Sequence, residues 1–146
     1  MIYYRSPDSG IWQGRHSSSR LYLHENIQLS EIDKIPVSEN RQVAIIGYAC
    51  DEGVRRNQGR IGAAGGPAKI RKMMASLSNH ISPDKEIWDA GDIVGEGDSL
   101  EALHEQTESA VSSILSKDIF PLVLGGGHDL AYPHYRAIRS VYTDKS

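Results

Sequence analysis

The sequence predicts an α/β fold, a three-layer α/β/α arrangement around a parallel sheet. Three observations predict it. From residue 41 onward, apolar runs of strand length alternate with segments of helical periodicity in the order β-α-β-α-β-α. That alternation calls for parallel strands with crossover helices on their faces. The first strand candidate, "RQVAIIGY", has a continuous apolar centre, as strands buried on both faces have. The segments rich in glycine, arginine and acid follow the strands, where parallel α/β sheets place their sites.

Residues 1–40 are polar and irregular, with "HSSSR" at 16–20 and Pro36, punctuated by Tyr3, Tyr4, Ile11 and Trp12. They read as an N-terminal arm that packs over the rest, and residues 41–146 read as the α/β unit. "RQVAIIGY" (41–48) is the first strand, and a glycine-rich loop follows at 51–66. "GPAKIRKMMASLS" is a helix with Pro67 in its first turn, and Ile70, Met73, Met74 and Leu77 fall on one face at i, i+3, i+4, i+7. "KEIWDAGDI" (85–93) is a second strand with a loop at its end. Residues 98–117 form the clearest helix. Asp98 caps it with Glu101 three residues on, and Leu100, Leu103, Thr107, Val111, Ile114 and Leu115 line its face. "DIFPLVLGGG" is the third strand. "LAYPHYRAIRSVY" is the third helix, with Pro133 in its first turn and Tyr135, Ile138 and Tyr142 on one face.

Composition narrows the class. The chain has 146 residues, and its 39% hydrophobic content is enough for one core. A net charge of −3 gives no basic excess for nucleic acid and no charged tail. Cys50 is the only cysteine, so no intrachain disulfide forms, which fits a reducing compartment. No apolar run approaches the roughly 18 residues of a membrane span. A cytoplasmic protein without nucleic-acid or membrane partners is expected.

Three loops could carry chemistry. In "CDEGVRRNQGRIGAAGGPAKIR" (50–71), glycines interleave with Arg55, Arg56, Asn57 and Arg60. Such a loop suits an anionic substrate group, because arginine forks onto carboxylate or phosphate. The alternative is a solvated loop with ordinary surface arginines. The spacing does not match a dinucleotide-binding G-x-G-x-x-G. In "WDAGDIVGEGD" (88–98), Asp89 and Asp92 are expected to settle loop amides rather than bind metal. In "GGGHD" (125–129), glycines turn the chain and His128 stands at a strand end. His128 could ligate a metal, act as a base or be merely structural. No G-K-[ST] follows the glycines, so a P-loop is excluded.

"GRIGAAGGPAKIR" (59–71), "DAGDI" (89–93) and "LVLGGGHDLAYPHYRAI" (122–138), in this order and spacing, resemble the ureohydrolase family of arginase, agmatinase and formimidoylglutamase. The resemblance covers residues 41–142. "DEGVRRNQGRIGA", and glycine rather than aspartate just before the histidine, are most similar to the formimidoylglutamase branch. The resemblance implies an arginase-like α/β/α fold. It also implies two Mn2+ ions whose bridging hydroxide attacks an amidine or guanidine carbon. The implied reaction hydrolyses N-formimidoyl-L-glutamate to L-glutamate and formamide in histidine degradation. By motif position His128 corresponds to the first metal ligand, and Asp129 supports the loop. From chemistry rather than motif position, Asn57 and Arg60 are candidates for binding the substrate's carboxylates.

The family's later ligand motifs, D-A-H-x-D and S-x-D-x-D, do not occur. One imidazole cannot hold a metal pair. The expectation is therefore the N-terminal half of such an enzyme, inactive alone and with no catalytic residue within these residues. Its third strand presents an uncovered apolar edge, so association there, or a homo-oligomer, is expected. The other readings are an agmatinase- or arginase-like guanidine hydrolase fragment and a non-catalytic binding or assembly domain.

Overall fold

A computed structural model describes residues 2–95 and 99–143. The strands are β1 (Ile2–Arg5), β2 (Ile27–Leu29), β3 (Arg41–Cys50), β4 (Lys85–Gly95) and β5 (Phe120–Gly125). The helices are α1 (Glu52–Arg56), α2 (Gly66–Ala75), α3 (Leu100–Ser116) and α4 (Ala131–Tyr142). The sheet runs β1-β4-β3-β5, and β2 also pairs with β4. The pairs β3–β4 and β3–β5 are parallel, as expected, and so is the unexpected pair β2–β4. The sheet is nevertheless mixed, because β1 lies antiparallel along β4. β1 and β2 both come from the arm that reads as irregular. They are too short for a periodic signal, and β4 supplies the edge that orders them.

Ala44, Ile46, Tyr48, Trp88, Ala90 and Ile93 cover one sheet face and pack with Leu103, Ala110 and Ile114 of α3. On the other face Ile45 and Leu124 meet Ala75 of α2 and Trp12 of the arm. α4 joins the α3 layer through Val111, Leu115 and Ala137. This is the α/β/α layering, with β3 buried on both faces as its composition requires.

Two helix faces differ from expectation. On α2 the buried residues are Pro67, Arg71 and Ala75, whereas Met73 is 73% exposed and Leu77 55%. On α4 the buried residues are Pro133 and Ala137, and Tyr135, Ile138 and Tyr142 face outward. Pro67 and Ala75 on α2, and Pro133 and Ala137 on α4, let each helix approach its neighbours closely, and on α2 the remaining inner position goes to Arg71, which reaches Asp89 and Asp92 of β4, so the bulky apolar face is left outside. The predicted face of α3 is buried from Leu103 to Leu115, with Leu100 half-buried. The α3 cap is Ser99, whose hydroxyl accepts from the Ala102 amide at 3.4 Å. Asp98, expected as the cap, lies outside the described residues.

Candidate functional site

β3 and β5 end side by side, with Tyr48 in register with Gly125. The chain leaves β5 through Gly126 and Gly127 into a single 3-10 turn, His128–Leu130. Gly126 has φ +28, and a side chain there would collide with the Tyr48 carbonyl. A side chain at Gly127 would collide with the Asp129 carboxylate. The glycines are thus explained by close packing of the strand end. The imidazole of His128 is exposed and has no hydrogen bond or ion pair among the described residues.

Asp129, by contrast, is engaged. Its Oδ2 accepts from the Tyr48 hydroxyl at 2.5 Å and lies 3.1 Å from Nε2 of His104 on α3. Burial, then the bond to Asp129, pushes the Tyr48 phenol well above its ordinary range, so it remains a donor. Burial also raises the Cys50 thiol, which suits a structural cysteine. Sequence reasoning misses Tyr48 and His104. Their signals are weak: a hydroxyl-tipped aromatic closing an apolar strand, and a histidine three residues before buried Thr107 and seven before Val111 on the α3 face.

The 51–66 loop is drawn together by Asp51, whose Oδ1 accepts from the amides of Gly62 at 3.1 Å and Ala64 at 2.9 Å. Arg55 pairs with Glu52, and Arg56 pairs with Glu52 at 2.9 Å and Glu101 at 2.7 Å. Asn57 and Arg60 are left exposed, with no side-chain partner among the described residues. α1, just before Asn57, packs against the His128–Leu130 turn. Part of this loop thus borders the turn that carries His128.

Asp89 and Asp92 are not in a loop. They lie within β4, and both are buried. The β3–β4 register shifts there, so that Ala90 and Gly91 together oppose Ile46, with Gly91 at φ +81. This bulge turns two aspartates three residues apart onto the same sheet face, beneath α2. Buried Arg71 donates to Asp89 at 2.8 Å, to Asp92 at 2.6 Å and to the Gly91 carbonyl at 2.8 Å. Trp12 donates to Asp89 at 2.6 Å, and Arg5 to Asp92 at 2.7 Å. Asp89 does accept one local amide, from Gly91. Its principal partners, however, are Arg71 and the arm.

Of these residues, His128 keeps an exposed imidazole without a partner among the described residues. Among the described residues no group of three or more His, Cys, Asp or Glu side chains could hold a metal ion. The residues present fit one ligand of a metal centre and do not by themselves fit a metal pair.

Residues 41–146 match the arginase family. A formimidoylglutamase of Geobacillus sp. (strain WCH70) is 38% identical over 140 residues, which are 93% of this chain and 43% of that protein. The solved formiminoglutamase of Trypanosoma cruzi with Mn2+ superimposes with a TM-score of 0.63 at 32% identity. The match covers 77% of this chain and 41% of that one. Formimidoylglutamase from Bacillus subtilis superimposes with a TM-score of 0.69 at 20% identity, over 88% of this chain and 41% of that one, and shows the shared fold. The chain spans less than half the length of the curated relatives it matches.

Proposed function

The chain belongs to the arginase family, and on that premise we propose that it contributes the N-terminal strands and first metal ligand of a manganese-dependent amidine hydrolase. The proposed reaction is that of formimidoylglutamase: N-formimidoyl-L-glutamate and water give L-glutamate and formamide. The observation that carries the reading is the unpartnered imidazole of His128 at the end of β5, on a triple-glycine turn. The relatives named formimidoylglutamase, 38% to 40% identical, support this substrate over a guanidine. In this reading Asn57 and Arg60 bind the substrate's carboxylates. Arginine matches a carboxylate in a fork, and both side chains are exposed without a side-chain partner among the described residues.

The centre needs ligands beyond the residues described, and the 146 residues alone are proposed to be inactive. Association through the β5 edge or into a homo-oligomer, and a cytoplasmic location, belong to the same proposal. No helix of the described residues is long and apolar enough to cross a membrane.

The test is to express the chain with the coding sequence that follows it in the genome and to assay formamide release. Release that requires Mn2+ and disappears in His128→Ala is expected. In the same protein Arg60→Ala is expected to raise KM severalfold with little change in kcat. Release without Mn2+, or full activity in His128→Ala, would overturn the reading. Urea release from a guanidine substrate would reassign the substrate.

A further inference from the structure

We propose that His104 is a positioning residue for His128, acting through Asp129, with Tyr48 as the second arm of the clamp. The inference rests on the reading of His128 as a ligand. A ligand must be held within a few tenths of an ångström, and this requires a rigid supporting shell. Yet His128 follows three glycines, the residues that surrender most conformational freedom on folding. Its own ring has no partner among the described residues to hold it. Something else must order the turn.

The neighbouring carboxylate does so. Asp129 Oδ2 receives its two donors from two different elements, Tyr48 at the end of β3 and His104 on α3. The sheet and the α3 layer are thereby tied to the residue directly after His128. The carboxylate can reach this position because neither Gly53 nor Gly127 carries a side chain. A Cβ at either would collide with Oδ1.

His104 is itself fixed. Its side chain is 13% exposed. Its ring packs at a tilt against Tyr132 on α4, with centroids 5.6 Å apart. Arg136 covers the Tyr132 ring at 5.6 Å and pairs at 2.9 Å with Glu108, one helical turn from His104. The chain of contacts leaves α3, crosses α4 and returns to α3. The imidazole therefore cannot swing away without disturbing both helices.

The experiment uses the 146-residue chain without metal. The readouts are the ring-nitrogen NMR signals of His128 and the amide exchange of residues 127–130. His104→Ala is expected to speed that exchange by roughly tenfold or more while β3 amides keep their protection, and to shift or broaden the His128 ring signals. His104→Gln, whose amide nitrogen can still donate to Asp129, is expected to restore both. If His104→Ala does not fold, His104→Asn, which is too short to reach, takes its place against His104→Gln. Unchanged His128 signals and exchange in the Ala or Asn variant would overturn the proposal, as would a Gln variant no better than Ala. No readout involves metal or turnover, so the clamp can stand if the hydrolase reading fails, and fail if that reading stands.

Discussion

The two edges of the sheet are built in opposite ways. Along β4 the arm supplies a cover, β2 against Ile87–Asp89 and β1 against Asp92–Gly95. Arg5 and Trp12 then complete a cluster in which the charges of Arg71 and Arg5 balance those of Asp89 and Asp92. Along β5 no strand pairs with the outer edge among the described residues, and Phe120 is 66% exposed and Leu122 38%. The covered side holds a buried, paired charge cluster beneath α2. The β5 side has no such cover among the described residues, and the His128 turn is the continuation of that strand. An uncovered apolar strand is a template for pairing, which is why the proposed association is assigned to β5.

The largest way to break this contrast is at Arg71. Arg71→Met leaves two buried carboxylates with the arm's donors and the Gly91 amide. It should cost about 3–5 kcal/mol, the penalty for stranding a buried charge, read by denaturant unfolding. Adding Asp89→Asn and Asp92→Asn should return much of it, and no recovery would show that the charges are not the cause. Trp12→Phe keeps an aromatic ring and removes one donor to Asp89, with an expected loss of about 1–3 kcal/mol. At the other edge Phe120→Lys should change the stability of the monomer by no more than about 0.5 kcal/mol. Its effect should appear in sedimentation, as loss of associated species.

The smallest effect concerns pH at the arm that closes β4. Ser17 donates through its hydroxyl and amide to Glu25, holding that carboxyl at about 2 against an ordinary 4.5. A depressed folded-state pKa stabilises above the unfolded value and is lost as pH falls toward the folded one. The Tm difference between the wild-type chain and Glu25→Gln should therefore be full above pH 4.5 and vanish toward pH 2. A difference that persists unchanged at the acid end of that range would contradict it.

Much of the main frame could be read from the sequence. The strands expected at 41–48 and 85–93 are Arg41–Cys50 and Lys85–Gly95, and the helix expected at 98–117 is Leu100–Ser116. Periodicity reveals that a helix has a face, but not what covers it. On α2 and α4 the apolar stripe lost the inner position to Ala75 and Ala137, whose small side chains allow a closer approach. The charge cluster was hidden for another reason. Asp89 and Asp92 share a face only because of the bulge at Gly91, and their partners lie at residues 5, 12 and 71. The glycine turn that carries His128 was legible because its sequence is contiguous. His104 was not, because it meets Asp129 only after α3 has packed on the sheet.

The contrast between the edges is tested most directly by amide exchange resolved along the chain at increasing protein concentration. The account predicts slow, concentration-independent exchange over Lys85–Gly95, and exchange over Phe120–Gly125 that is faster in dilute solution and slows as concentration rises. Equal protection of both strands at every concentration, in a protein that stays monomeric, would contradict it.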